Sequence, residues 1–179
     1  MPERRCTIDS SCVIALDLLS LLPKLSWLFS VVLVPKAVRE ELFRQLDRAE
    51  RLSALFDKYG FLQRCDEYDQ ASVDVLLLDH NAKEGRDRGE AEAFAQAAPN
   101  GDWVIVDDPW GRSLARNGGL ECHGTVWVLE QFHELGLLAA ADLRSGFVSL
   151  RVFGLRLPWP AVNRLLQKIG QPQIELDLE

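Results

Sequence analysis

Residues 103–112 read WVIVDDPWGR, and this stretch decides the fold. The four apolar residues from Trp103 to Val106 have the composition of a strand that is buried in a parallel sheet. The run ends on Asp107 and Asp108, so both carboxylates follow the carboxyl end of the strand, where open α/β sheets bind their ligands. The stretch therefore predicts an α/β protein with acidic side chains at that edge of the sheet.

Strands and helices alternate along the rest of the chain. A short strand at residues 5–9 precedes the helix CVIALDLLSLL, and a second strand at residues 31–34 runs into Pro35, which suits the first position of the helix KAVREELFRQL. Further strands are predicted at residues 61–65 and near residues 120–122, with helices between them. This alternation is typical of a parallel sheet.

The 179 residues, 47% of them apolar, are enough for one domain with a well-buried core. We expect residues 1–142 to form the main domain and residues 143–179 to add helices and an acidic tail that pack on it. The N-terminal segment MPERRCTIDSS lacks the uninterrupted apolar run of a signal peptide, and no later run approaches the roughly 18 residues of a membrane span. The four cysteines are far apart and form no CxxC pair, which indicates buried thiols in a reducing compartment. The expected location is therefore the cytoplasm, with no membrane partner.

The formal net charge is −7, which disfavours non-specific binding of nucleic acid through a basic surface. It does not exclude a nuclease, because an acidic metal site contributes several negative charges of its own. The sequence contains no P-loop, no GxGxxG and no nucleophile elbow.

Other acidic residues occupy positions that could bring them to the same edge. Asp9 ends the first strand, although a helix cap is an equally good interpretation of that residue. Of the adjacent pair Glu40 and Glu41, the helical projection places Glu41 beside Val38 and Leu42 on the core-facing side. A carboxylate beside an apolar stripe needs a partner or a metal.

The same projection selects Glu90 over Glu92 in the helix EAEAFAQAA, because Glu90 falls within the apolar face beside Phe94. The alternative for Glu90 is structural, since Asp87 three residues earlier would complete a capping box. Asp108 also has a structural alternative, as the N-cap of a helix with Pro109 at its first position. A second acid beside such a cap then has no structural explanation.

Like charges gathered at one place repel and raise each other's pKa unless a cation compensates them. Carboxylates without histidine or cysteine ligands favour hard cations, so the expected ion is Mg²⁺ or Mn²⁺. The three histidines are scattered in the sequence and are interpreted as surface or structural residues.

Four local patterns in order resemble the PIN-domain family of metal-dependent ribonucleases, which includes the VapC-type toxins. They are TIDSS, VPKAVREEL, GEAEAFAQA, and VIVDDPWGRSLAR with the following GTVWVLEQFHELGLL. The GEAEA segment, the DD-x3-R turn and the late GT resemble one poorly characterised subfamily in particular. The resemblance covers about Arg5 to Leu138. It implies a Rossmann-like, three-layer α/β/α fold with a central, mostly parallel sheet of about five strands.

The resemblance also implies roles for individual residues. The four family acids correspond to Asp9, Glu41, Glu90 and Asp108, with Asp107 as a neighbour that can share the last role, and all except Glu41 are implied as ligands of Mg²⁺ or Mn²⁺. The third acid is Asp in many family members, whereas this chain has Glu. Two hydroxyl residues, Ser11 and Thr125, correspond to positions that orient the acids. Separately from the resemblance, Arg112 and Arg116 are spaced to approach phosphate, although a solvated helix face is the alternative.

The implied reaction is hydrolysis of RNA by a Mg²⁺- or Mn²⁺-dependent endoribonuclease, as the toxin of a toxin–antitoxin pair. The family resemblance further implies a homodimer and an antitoxin peptide in an apolar groove, for which residues 37–58 and 71–79 are the candidates. One alternative is a catalytically silent PIN-like binding or regulatory module whose acids serve as helix caps. A phosphotransfer domain is disfavoured, because DSS follows the first strand where a haloacid-dehalogenase-type phosphatase has D-x-D.

Overall fold

A five-stranded, all-parallel sheet forms the centre of the protein. The computed structural model describes residues 3–44, 46–80 and 87–175. The strands are β1 (Arg5–Ile8), β2 (Val31–Pro35), β3 (Leu62–Cys65), β4 (Trp103–Ile105) and β5 (Cys122–His123). Their order across the sheet is β3-β2-β1-β4-β5, so β1 is the central strand.

Helices connect the strands and cover both faces of the sheet. They are α1 (Ser10–Leu18), α2 (Lys36–Leu42), α3 (Leu46–Lys58), α4 (Gln70–Asp79), α5 (Arg88–Ala97), α6 (Pro109–Asn117), α7 (Thr125–Glu134), α8 (Ala140–Val152) and α9 (Trp159–Lys168). Short 3₁₀ segments lie at Leu22–Trp27 and Ala98–Asn100. The predicted α/β class with a parallel sheet of about five strands is confirmed.

Alternate residues of the strands point to two separate cores, as the two-residue period of a strand requires. Cys6, Ile8 and Ile105 belong to the larger core, which also contains buried residues of α1 and α7. On the opposite face, Val104 packs with residues of α5 and α6. The sheet is therefore the middle layer of three.

Helices α8 and α9 contribute to the larger core. Leu143, Phe147 and Leu150 of α8 and Val162 and Leu166 of α9 are fully buried in it. The division into residues 1–142 and 143–179 stays a prediction. No helix in the part of the chain described by the structure is long and apolar enough to cross a membrane.

Several predicted boundaries were wrong by a few residues. Helix α1 ends at Leu18 and not at Leu22, because Ser20 takes a positive φ of 56° that a helix cannot continue. Pro35 is the residue before α2 and not its first helical residue.

The beginning of the acidic tail is anchored to α9. Ile174 is buried, and its backbone exchanges two hydrogen bonds with the side chain of Asn163. Residues 81–86 and 176–179 and the side chains of Gln45 and Leu46 lie outside the described part of the chain.

Candidate active site

The predicted acids surround one cleft at the carboxyl edge of the sheet. Strands β1 and β4 are neighbours and parallel, so Asp9 and the pair Asp107–Asp108 follow adjacent strand ends. Glu41 comes from α2 and Glu90 from the first turn of α5. All five line the cleft, which has a volume of about 1570 Å³. The predicted convergence of these positions is therefore present in the structure.

Asp9 is a buried carboxylate at the bottom of the cleft. Its Oδ1 accepts a hydrogen bond from the backbone nitrogen of Ser10 at 2.6 Å, and its Oδ2 accepts one from Ser11 Oγ at 2.5 Å. Burial, followed by the nearby charges of Glu41 and Asp107, raises the pKa of Asp9 from 3.8 to about 6, although the hydrogen bonds from Ser11 and Ser10 act in the opposite direction. Asp9 is thus both the N-cap of α1 and a carboxylate held in an unfavourable electrostatic environment.

Glu41 lies at the cleft for a different reason from the one inferred from the helical projection. Its side chain is exposed and not part of the core, which contains Val38 and Leu42 of the same helix. Ser10 Oγ donates a hydrogen bond of 2.7 Å to Glu41 Oε2, which brings the carboxylate beside Asp9. Glu40, which was predicted to point away, also lines the cleft and pairs with Lys36 at 3.8 Å.

Glu90 is the most strongly perturbed acid of the cleft. Desolvation, with the charges of Asp9 and Asp108, raises the pKa of Glu90 from 4.5 to about 8. Its Cβ and Cγ lie against Gly111, where an added Cβ would come within 3.0 Å of Glu90 Cγ. The capping box is not formed by Asp87, which has a φ of 64° and makes no side-chain cap hydrogen bond. That structural alternative for Glu90 was wrong.

Asp107 is held on both oxygens by the start of α7. Oδ1 accepts a hydrogen bond from the Thr125 nitrogen at 3.0 Å, and Oδ2 accepts one from Thr125 Oγ1 at 2.6 Å. The Cys12 thiol also donates to Oδ2 at 3.4 Å, and burial raises the pKa of this thiol, so that it stays protonated. At Gly124 an added Cβ would lie 2.3 Å from Asp107 Oδ1, which explains the glycine of the GT pair.

Asp108 is the N-cap of α6, as its position before Pro109 predicted. Its Oδ1 accepts hydrogen bonds from the nitrogens of Trp110 at 2.7 Å and Gly111 at 3.1 Å. Its Oδ2 accepts no hydrogen bond from the described residues. Both members of the pair therefore accept hydrogen bonds from the start of a helix, but among the described contacts only Asp108 keeps one carboxylate oxygen without such a bond.

The two arginines that follow differ in their surroundings. Arg112 donates from Nη1 to the carbonyl oxygen of Val106 at 3.2 Å, so this side chain supports the turn that carries the acids. Arg116 is exposed, and both residues line the cleft.

No ion pair with a described lysine, arginine or histidine is formed by any of the five acids of the cleft, which are Asp9, Glu41, Glu90, Asp107 and Asp108. In the described part of the chain, no three histidine, cysteine, aspartate or glutamate side chains are arranged as a ready metal site. The donor chemistry nevertheless fits a hard cation, since the five acids offer carboxylate oxygens and desolvated acids repel each other without a positive charge.

Glu92 is a buried acid near the cleft whose burial the projection did not predict. It is only 1% exposed; Oε2 accepts a hydrogen bond from the Ala37 nitrogen at 2.7 Å, and Oε1 accepts one from Arg88 Nε at 2.9 Å. This carboxylate joins α5, which carries Glu90, to α2, which carries Glu41. The sequence pattern did not predict the burial of Glu92, because the helical projection assumed one buried face. In the structure, α5 contacts α2, α4 and α6 as well as the sheet.

His123 was interpreted as a scattered structural residue, yet it lines the cleft. Its ring stacks on Trp127 with centroids 3.9 Å apart, and Trp127 lines the cleft as well. Burial lowers the pKa of His123, against the opposing effect of Glu121. The neutral aromatic pair His123–Trp127 therefore lines the same cleft as the acids.

Comparison with known proteins agrees with this architecture. A family model described as a PIN domain matches residues 5–171, which is nearly the whole chain. None of the curated proteins compared with the chain matches it. PIN domains are generally nucleases that use divalent metal ions. The fold, the acids at the carboxyl edge of the sheet and the length of the match show that the chain belongs to the PIN-domain family.

Proposed function

We propose that the protein is a Mg²⁺- or Mn²⁺-dependent endoribonuclease, with Asp9, Glu41, Glu90 and Asp108 as its catalytic acids. The observation that carries the proposal is a cluster of carboxylates that form no ion pair with any basic side chain that the structure describes. Within this cluster, Asp9 and Glu90 are desolvated and interact electrostatically with their acidic neighbours. A set of helix caps does not require this arrangement, because Glu90 forms no capping box with Asp87 and burial disfavours its charged form.

Asp9, Glu90 and Asp108 would hold the metal, with Asp107 as a neighbour that can share this role. A bound divalent ion in such enzymes lowers the pKa of a water molecule and stabilises charge on the leaving oxygen. Ser11 and Ser10 orient Asp9 and Glu41 through the hydrogen bonds described above. Thr125 fixes Asp107, so the carboxylate of Asp108 is presented from a turn that is held at both residues.

The protein's role as a VapC-type toxin in the cytoplasm, as a homodimer with an antitoxin, is part of the same proposal. Its support is an apolar surface on α4, where Val75 is 55% and Leu78 is 78% exposed. These residues fall within the 71–79 segment that was selected as a candidate groove, and contiguous exposed apolar residues are typical of protein interfaces.

Cleavage of RNA by the purified protein, freed of any partner, tests the enzymatic proposal. Single-stranded and structured RNA are incubated in Mn²⁺, in EDTA, and with the variants Asp9→Asn and Glu41→Gln. We expect cleavage in Mn²⁺ only, and its loss in both variants. Glu40→Gln is the matched control, because Glu40 is adjacent to Glu41, exposed and not an assigned catalytic acid.

Two results would contradict the proposal. Equal cleavage in Mn²⁺, in EDTA and by Asp9→Asn would indicate a contaminating nuclease, and an absence of cleavage by a folded, Mn²⁺-loaded protein would favour the silent binding module. A short reading frame upstream with a DNA-binding pattern would support the toxin role, and growth arrest on expression, relieved by that upstream product, would test it.

A further inference from the structure

Glu92 is a buried carboxylate that does not line the cleft of the acids, although it lies in the same helix as Glu90. Residues two apart in a helix point about 200° away from each other around its axis, so the two glutamates face different sides of α5. Both oxygens of Glu92 are hydrogen-bonded, Oε2 to the Ala37 nitrogen and Oε1 to Arg88 Nε. Its charge is therefore satisfied within the protein and is not available to a ligand.

The bond to Ala37 supplies what the N-terminal end of α2 lacks. The first N–H groups of a helix have no partner inside the helix, and a carboxylate placed there also interacts favourably with the helix dipole. Pro35 precedes α2 and makes no side-chain cap hydrogen bond, and the first turn of α2 contains no acid. Glu92 of α5 therefore serves as the missing cap, and it ties the helix that carries Glu41 to the helix that carries Glu90.

Gly89 shows how closely these two helices approach. A Cβ added at Gly89 would lie 3.2 Å from Val38 Cγ2 of α2 and 4.0 Å from Asp9 Oδ1. The first turn of α5 thus packs directly on α2 and beside Asp9, and Glu90 is the next residue in that turn. The separation of Glu90 from Asp9 and from Glu41 consequently depends on how α5 packs against α2.

Stability alone is a poor explanation for a carboxylate at this interface. Burying a charge is costly, and apolar residues of similar volume often hold two elements together as well as a buried ion pair does. Hydrogen bonds add a defined distance and direction, which apolar contacts do not. A buried carboxylate with a donor from each helix therefore fixes their relative position.

We propose that Glu92 is a positioning residue of the site, which fixes α2 against α5 so that Glu41 and Glu90 are both held beside Asp9. Glu92 itself contacts neither metal nor substrate. The inference rests on the proposed metal-dependent function and adds the residue that sets the spacing of its acids. It also assigns a separate role to each end of the segment 89–92: Gly89 permits the close approach of the helices, Glu90 lines the cleft and Glu92 holds α2.

Binding of Mn²⁺ in the absence of RNA tests this proposal without requiring cleavage. Isothermal titration calorimetry gives the Kd of the wild type, Glu92→Gln and Glu92→Met, each at a temperature well below its melting temperature. Glutamine removes the charge that Arg88 contacts, and methionine removes both acceptors at a similar volume. Since loss of a group that orients metal ligands typically weakens metal binding 10- to 100-fold, we expect the Kd to rise about tenfold in Glu92→Gln and at least as much in Glu92→Met.

Two controls separate positioning from stability. Leu143 is fully buried in the part of the larger core formed by α8 and does not line the cleft, so Leu143→Ala should lower the melting temperature and leave the Kd unchanged. Glu92→Gln is also introduced into Glu90→Gln. Because Glu92 acts partly through Glu90, the added loss of Mn²⁺ affinity should be clearly less than tenfold in that background.

The proposal is overturned if folded Glu92→Gln or Glu92→Met binds Mn²⁺ as tightly as the wild type, or if Leu143→Ala weakens binding as much as they do. A full tenfold loss in the Glu90→Gln background, or failure of both Glu92 variants to fold, would also overturn it. Unchanged binding by the Glu92 variants would leave the nuclease proposal intact. A folded wild type that binds no Mn²⁺ would instead refute the nuclease proposal, and this inference with it.

Discussion

Replacing Glu90 by glutamine should stabilise the metal-free protein at neutral pH. The pKa of Glu90 is raised to about 8, against 4.5 for an ordinary glutamate, so its ionisation opposes folding. A carboxyl with a raised native pKa contributes stability that is complete below pH 4.5 and is lost as the pH rises towards 8. At pH 7 this loss is about 3 kcal/mol as an upper limit, and solvent screening of the partly exposed side chain reduces it to about 1–2 kcal/mol.

Urea unfolding in EDTA between about pH 6 and pH 8.5 measures this effect and avoids the isoelectric region near pH 5.0. We expect the free energy of unfolding of Glu90→Gln to exceed that of the wild type by an amount that grows up to about pH 8 and then stays level. The control Glu40→Gln changes an exposed glutamate on the edge of the same cleft and should stay within about 0.5 kcal/mol of the wild type.

Addition of Mn²⁺ should reverse the order of the two proteins. A ligand that binds only the folded state stabilises it by about 2.7 kcal/mol at a hundredfold excess over its Kd, and the variant lacks one of the proposed ligands. A variant that is no more stable than the wild type in EDTA, or a difference that does not change with pH, would refute the assignment of Glu90 as an uncompensated acid. Equal stabilisation of both proteins by Mn²⁺ would refute its role as a ligand.

Three further substitutions test the surroundings of the acids. Gly124→Ala should lower the free energy of unfolding by about 1–3 kcal/mol, because its Cβ would lie 2.3 Å from Asp107 Oδ1; an unchanged urea midpoint would contradict this. Asp108→Asn should have little effect on stability, since asparagine also serves as an N-cap, but it should abolish RNA cleavage. Asp107→Asn should destabilise the protein more, because Asp107 accepts hydrogen bonds on both oxygens. If unfolding and cleavage assays give the reverse order, the roles of the two residues are exchanged. Glu92→Gln should cost about 1–3 kcal/mol through weakened bonds to Ala37 and Arg88, measured by thermal unfolding, with activity reduced through the displaced helices.

The position of the site was predicted from local sequence signals, because each of the strands β1 and β4 is followed directly by acids. These two strands are neighbours in the sheet, so their acids lie at the same edge. Asp108 was predicted as an N-cap and is one. Glu41 was selected for a partly wrong reason: the projection expected a core-facing acid, whereas Ser10 holds an exposed one. A helical projection reports only which residues share a face, so it cannot show which side chain from another element will contact that face.

Two features of the site depend on tertiary packing and could not be predicted from local sequence patterns: the burial of Glu92 and the position of the arginines of the C-terminal segment. Helix α5 is covered on several sides, so one apolar stripe underestimates what is buried and misses Glu92. The amphipathic pattern of α9 predicts a helix with one buried face, which Val162 and Leu166 provide. It does not predict that Arg164 on the exposed face lines the same cleft as Asp9, because that depends on how α9 packs on the rest of the protein.

The cleft contains both unpaired acids and unpaired arginines, and the presence of both is best explained by ligands that bind there. Among the residues that the structure describes, the five acids pair with no basic side chain, and Arg44, Arg116, Arg156 and Arg164 pair with no acid, although all of them line one cavity. If folding stability alone had determined these residues, opposite charges in a shared cavity would pair or be replaced by neutral side chains, since desolvated like charges are unfavourable. In the proposed nuclease, a divalent ion would compensate the acids and the phosphates of RNA would compensate the arginines. The proposal therefore predicts that metal and RNA each increase the affinity of the protein for the other, because each would reduce an electrostatic cost of binding the other.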